Sequence, residues 1–299
     1  MVSHAYSAHS RLVDPARSHA QLWRLIIGCG VVITVGIILN MSLWRVLMAA
    51  APNAWVPVFD GSDMPGDTPV QMLILLGSYG FIIIGVAMAV ILLHQRPLRH
   101  VMGGWGMTLR HIRQVAVVIL AVAVVLLILP PYNLGLELTP NLPLMPWLLL
   151  LPLSVLAVGI QCAAEEILFR GYLQQQLAAR FASPLIWMGV PSVLFALGHY
   201  LPTQAGENAV LITVWAGLFG LFAADLTARS GSLGPAIAMH VANNISALLL
   251  ISLPDGMSGL SLYTVPFAMD DAEAVQAWLP VDFAMMAVFW LSARLAIRR

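Results

Sequence analysis

The chain has 299 residues, of which 60% are hydrophobic and only 9% charged, and its mean hydropathy is +0.87. Soluble domains carry about 25% charged residues, so an ordinary soluble globule is excluded and the long apolar runs indicate an integral membrane protein. The formal net charge is zero, and no basic stripe interleaved with aromatic residues points to nucleic acid.

Residues 1–21 mix Ser, His, Arg and Asp without an apolar stretch, which predicts a cytoplasmic tail and not a cleavable signal peptide. Apolar runs long enough to cross the hydrocarbon core follow at Leu25–Met48, Val70–Leu93, Val115–Leu129, Trp147–Phe169, Leu185–His199, Ala209–Leu226, Leu233–Leu253 and Val275–Leu295. The fifth is short. Pro130, Pro131, Pro140, Pro143 and Pro146 break the chain between the third and fourth, either as a plain loop or as a partly re-entrant segment. The expected fold is all-α, a polytopic membrane bundle of about eight transmembrane helices. Its expected parts are residues 22–145 (three helices and the Pro-rich connection), a core at 146–253, and residues 254–299 (an outer loop, the last helix and a short basic tail). Cys29 and Cys162 both fall in apolar runs, so no disulfide framework is expected.

The connections alternate in charge. One set holds Arg11, Arg17 and Arg24, then Arg96, Arg99, Arg110 and Arg113, then Arg180, Arg229, Arg294, Arg298 and Arg299. The other holds Asp60, Asp63 and Asp67, then Glu137, Glu207, Asp255, Asp270, Asp271 and Glu273, with no Arg. The positive-inside rule makes the Arg-rich side cytoplasmic. Both termini are then cytoplasmic, with the protein integral to the cell (inner) membrane. Arg45 is the exception, placed where its stem can snorkel.

Ionisable groups at membrane depth are costly and form a short list. Only Glu165 and Glu166 among the five Glu lie in a span, as do only His199 and His240 among the eight His. Glu166 and Arg170 are four apart, on one helix face, and are expected to form a structural ion pair. Glu165 points about a hundred degrees away, toward a neighbouring helix. His240 and Asn244 are also four apart and project together, while Asn243 lies on an adjacent face and is an alternative to Asn244. An acid, two imidazoles and a carboxamide suit acyl chemistry with water as nucleophile, because burial favours proton uptake by a carboxylate base. Glu165 is assigned to deprotonate water and His199 to orient it. His240 and Asn244 are assigned to the oxyanion. Cys162 reads as a small apolar filler, and Asp225 and Asp282 show no evident partner.

Three patterns in this order, Glu165-Glu166-x-x-x-Arg170 (continued by Gly171-Tyr172-Leu173), Phe195-x-x-x-His199 and His240-x-x-x-Asn244, resemble the CAAX-protease and bacteriocin-processing (CPBP) family of intramembrane endopeptidases. The match runs from about Ala163 to Asn244, so residues 146–253 become a CPBP-like catalytic core. The resemblance implies peptide-bond hydrolysis similar to that of CAAX prenyl endopeptidases. It implies a water-activating role for Glu165, support from His199, His240 and Asn244, and a structural role for Glu166 and Arg170. The implied partners are membrane lipid and a peptide or protein substrate, lipidated or membrane-embedded.

His-Glu-x-x-His is absent, although the family is often called a metalloprotease family. Metal-free glutamate-type chemistry is the favoured reading; a metallo-type hydrolase would take zinc on Glu165, His199 and His240. Two further readings compete. One is a non-catalytic membrane adaptor or bacteriocin-immunity protein on the same fold. The other is a proton-coupled transporter, which the absence of inverted repeats disfavours. Gly256-Met257-Ser258-Gly259 imitates a rhomboid serine motif, but no His follows it. No Gly-x-Gly-Asp of presenilin type occurs either.

Depth imposes one further expectation. If the fourth helix continues to about Arg180 and turns at Ala182-Ser183-Pro184, Glu165 and His199 each lie 15 residues from the turn, roughly 22 Å away. The connection before His240 must then dip into the bundle.

Overall fold

The computed structural model describes residues 4–60, 65–129 and 137–298. Asp63, Pro130, Pro131 and Arg299 lie outside the described residues. The N-terminal segment folds as a 3-10 turn His4–His9, α1 (Ser10–Val13) and a second 3-10 turn Asp14–His19. It leads into α2 (Leu22–Ala50), α3 (Pro52–Asp60), α4 (Pro69–Ser78), α5 (Gly80–Leu92), α6 (Leu98–Met102) and α7 (Trp105–Ile128). Helix α8 (Leu144–Glu166) runs through a π-helical turn, Ile167–Leu173, into α9 (Gln174–Arg180). Then come α10 (Pro184–Trp187), α11 (Gly189–Leu197), α12 (Pro202–Ala205), α13 (Ala209–Ser230), α14 (Gly234–Ile245), a π-helical turn Ser246–Leu250 and α15 (Ala272–Ile297).

The fold is a polytopic all-α membrane bundle. Among the described residues, six helical stretches are long and apolar enough to cross a bilayer, and Pro184–Leu197 and Gly234–Leu250 are shorter apolar ones. Each matches one of the eight expected spans. Ile26, Ile33, Val117, Leu120 and Leu149 are exposed on the outside of the bundle, as lipid-facing side chains are. Among the described residues, strand structure is confined to three two-residue strands, β1 (Thr139–Pro140), β2 (Ile251–Ser252) and β3 (Tyr263–Thr264), ordered β1-β3-β2 on the acidic face.

Three details differ from the simple span reading. The second span is two helices with Tyr79 between them, flanked by Gly77 and Gly80, which hold a helix poorly. The third span starts about ten residues early, so Arg110 and Arg113 sit on α7 and not in a loop. The fourth does continue to Arg180, because the π turn absorbs an extra residue without ending the helix.

The N-terminal segment packs onto the Arg-rich face. Leu12, Val13 and Ala16 are buried, Tyr6 meets Trp187 edge-on at 5.8 Å, and the His9 ring tilts over Trp187 at 4.7 Å. Asp225, expected to be unpartnered, is the anchor of this face. It accepts hydrogen bonds from Tyr6 Oη (2.9 Å), Arg229 Nε (2.7 and 2.9 Å) and Trp290 Nε1 (3.0 Å). One carboxylate thus ties the N-terminal segment to α13 and α15. Beneath it, α13 ends at Gly231 in the left-handed region (φ 69°), and Gly103 (φ 89°) approaches so closely that a Cβ would sit 2.6 Å from the Gly231 carbonyl oxygen. This close approach lets residues 231–233 pass under the N-terminal segment and start α14 inside the bundle, the inward dip that depth requires.

Two predictions test this face. Asp225→Ala leaves Arg229, Tyr6 and Trp290 without their acceptor and is expected to cost on the order of 3 kcal/mol, read as a lower thermal midpoint in detergent. Burial pushes the His9 imidazole down from 6.5 to about 4. A free segment therefore takes up the proton before the docked one does. Docking is at full strength above pH 6.5 and weakens by about 1.4 kcal/mol per pH unit as pH falls toward 4. Hydrogen exchange of residues 4–19, corrected for intrinsic rates, should rise between pH 7.5 and 5. The same rise in His9→Gln, which cannot titrate, would disprove the cause.

Candidate active site

Helix α8 contributes three neighbouring polar side chains, Gln161, Glu165 and Glu166, all buried. Glu165 and Glu166 are adjacent in sequence and so diverge around the helix. Glu166 is wholly buried, and its Oε1 is 3.0 Å from Arg170 Nη1 and 2.9 Å from His240 Nδ1. The expected Glu166–Arg170 pair forms, and it also reaches across to α14. Arg170 is itself enclosed, its Cζ 4.7 Å from the Phe195 ring centroid, a cation–π contact that links it to α11.

Glu165 differs. Its Oε2 lies 3.5 Å from His240 Nε2, and this buried oxygen accepts no hydrogen bond among the described residues. At that separation the contact is electrostatic and falls short of a well-formed hydrogen bond. His240 therefore stands between the two carboxylates, Nδ1 to Glu166 and Nε2 toward Glu165. Glu166 faces Arg170 as an ionised acceptor, which makes His240 Nδ1 the donor. The imidazole is fixed edgewise by Phe219 at 4.8 Å and Phe195 at 6.1 Å.

One turn further along α14, Asn244 Nδ2 donates to Gln161 Oε1 at 2.8 Å, and Asn243 Nδ2 donates to Asn244 Oδ1 at 3.2 Å. Cys162 Sγ also donates to Gln161 Oε1, at 3.3 Å, so Cys162 is more than an apolar filler. His199, two residues past α11, tilts over Phe195 at 4.5 Å and joins its Nδ1 to the Phe195 carbonyl at 2.9 Å. It is half-exposed, and its Nε2 makes no hydrogen bond among the described residues.

Glu165, Glu166, Arg170, His240 and Asn244 thus lie on one seam between α8 and α14, and His199 adjoins it through Phe195. Sequence reasoning missed Gln161 and Phe219. Gln161 was detectable, being four residues before Glu165 on the same face; Phe219 carries no signal beyond apolarity. Among the described residues no three His, Cys, Asp or Glu side chains assemble into a metal-binding group. Of the zinc set Glu165, His199 and His240, Glu165 and His240 approach to 3.5 Å, and His199 is reached from His240 through the Phe195 ring.

Residues 143–246 match the family model of type II CAAX prenyl endopeptidase Rce1-like proteins, a span that contains every one of these residues. The resemblance to CAAX-type intramembrane proteases is therefore shown for the core of the chain. The chain is also 27% identical over 265 residues to an uncharacterized protein, YyaK, of Bacillus subtilis (strain 168), covering 85% of this chain and 86% of that one. No solved structure matches.

Removing one partner of a buried ion pair strands the other. Arg170→Met is expected to cost about 3–5 kcal/mol of stability, measured by thermal unfolding in detergent. Glu166→Gln combined with Arg170→Met should cost less than the sum of the two changes. Strict additivity would show that the pair is not coupled.

Proposed function

We propose that the chain is an intramembrane endopeptidase that hydrolyses a peptide bond with water activated by Glu165. The observation that carries this reading is the division between adjacent carboxylates. Glu166 Oε1 is held by both Arg170 and His240, whereas Glu165 has no Arg partner and faces His240 Nε2 through Oε2; the second oxygen of Glu166 and Oε2 of Glu165 are both buried without a hydrogen-bond donor among the described residues. A carboxylate left in that state is suited to take a proton from water.

As the water oxygen bonds to the scissile carbonyl carbon, its proton passes to Glu165 and the carbonyl oxygen becomes an oxyanion. His240, with Nδ1–H on Glu166, donates from a protonated Nε2, and Asn244 donates its remaining amide N–H. Collapse of the tetrahedral intermediate breaks the C–N bond, and Glu165 returns its proton to the leaving amine. His199 orients the water through Nε2. No step is routed through a metal. The substrate is a peptide or protein segment drawn from the membrane, in keeping with the matched family, and lipidated C-terminal tails belong to that class. The Arg-rich face is cytoplasmic by the positive-inside rule, with both termini on that side of the cell membrane. Residues 146–253 act as the catalytic core, and 1–21, 22–145 and 254–299 as its surroundings.

Peptides released from membranes carrying the wild-type chain should disappear with Glu165→Gln expressed at equal level, a loss of at least about 10²–10⁴-fold. Identical peptide sets from the two membranes would refute the reading. Chelation of the purified protein should leave turnover unchanged. Activity lost to the chelator and restored by zinc alone would replace the glutamate-type mechanism with a metallo-type one.

A further inference from the structure

Helices α8 and α14 are joined by two polar links one turn apart. Glu165 meets His240, and Gln161 meets Asn244, so four residues back along α8 are matched by four residues forward along α14. The helices are antiparallel, and this register sets both links at successive levels of one seam. From this geometry we infer that Gln161 is a positioning residue which fixes the orientation of the Asn244 carboxamide. The inference rests on the peptidase reading and extends it to a residue outside the three motifs.

A carboxamide has two N–H donors and one carbonyl acceptor, and a flip about its last torsion exchanges them. At Asn244 both ends are engaged. Nδ2 gives one N–H to Gln161 Oε1 at 2.8 Å, and Oδ1 accepts from Asn243 Nδ2 at 3.2 Å. Flipping the group would set Oδ1 against the Gln161 carbonyl oxygen and Nδ2 against the Asn243 N–H groups, two repulsive contacts in place of two favourable ones. The second N–H of Asn244 has the Cys162 sulfur, a weak acceptor, within reach, and an oxyanion is the stronger acceptor for it. Without Gln161 the flipped state becomes accessible, and it presents a carbonyl oxygen to a negative charge. Gln161 is buried, so no bulk water substitutes for it as acceptor.

This predicts a change in kcat without a change in KM, because the amide matters only as charge develops on the substrate oxygen. The assay uses a quenched-fluorescent peptide spanning a bond whose cleavage depends on Glu165. Gln161→Met, close in shape but lacking the acceptor, should lower kcat about tenfold or more with KM unchanged, against roughly 10²–10³-fold for Asn244→Ala. Gln161→Glu keeps an acceptor and should restore kcat to within a few-fold of wild type. In an Asn244→Ala background, Gln161→Met should add no further loss. If Gln161→Met does not reach the membrane folded, Gln161→Asn, which withdraws the acceptor by one methylene, makes the same test. Wild-type kcat in the folded acceptor-less variant, or an equal loss with and without Asn244, overturns the inference while leaving Glu165 as the base. Full activity in Glu165→Gln would instead remove the reading on which it rests.

Discussion

A buried three-way contact at Glu166 holds the centre of this molecule. One carboxylate oxygen takes Arg170 from its own helix and His240 from α14, all three groups being almost fully enclosed. Glu166 Oε2 and Arg170 Nη2 make no hydrogen bond among the described residues, but such a cluster is tolerable in a low-dielectric bundle when its charges are paired. It therefore dictates how α8 and α14 face each other. Arg170 extends the constraint to α11 through Phe195, and His240 extends it to α13 through Phe219. Four helices are thus registered about one imidazole, and the position of Glu165 relative to His240 follows from that registration.

The irregular backbone around this centre has a consistent purpose. The π turn at Ile167–Leu173 lets the fourth helix keep going past its polar residues to Arg180, so that α10 and α11 can climb back to bring Phe195 against Phe169 and Arg170. The left-handed Gly231 and the close approach of Gly103 allow α14 to begin inside the bundle. His240, only six residues after Gly234, is thereby placed at the depth of a residue far along α8. The N-terminal segment then covers the loop that makes this possible, held by Tyr6 on Asp225.

Much of this was legible in sequence, for identifiable reasons. Membrane spans are visible because lipid demands apolar runs of a set length. The site residues stood out because polar groups at that depth are few, and because the spacing of four in Glu166–Arg170 and His240–Asn244 already fixes a shared face. What sequence concealed are contacts between distant segments. Two partners of Asp225 were hidden, Tyr6 being 219 positions away and Trp290 lying in another helix, but Arg229, four residues on, was legible by the same spacing and was overlooked. The bond between Glu166 and His240 was equally hidden, since helical spacing orders residues within a helix and says nothing of which carboxylate a neighbouring imidazole will choose. The break at Tyr79 escaped for another reason: apolarity continues smoothly across it.

That choice of carboxylate gives the adjacent pair its chemical meaning under the proposed mechanism. Arg170 balances the charge of Glu166, which leaves Glu165 and His240 to balance each other. A proton on His240 Nε2 makes an imidazolium beside an ionised Glu165; moved to Glu165, it leaves two neutral groups. Both distributions keep the buried cluster neutral overall, so a proton can change position without exposing uncompensated charge to the bilayer interior. In turnover the proton that Glu165 takes comes from water while His240 keeps its own, and the charge this adds beside the imidazolium is matched by the oxyanion that forms on the substrate. Reversing the assignments would not work equally well. Protonating Glu166 would discharge its pairing with both Arg170 and His240, whereas protonating Glu165 touches the one contact with His240.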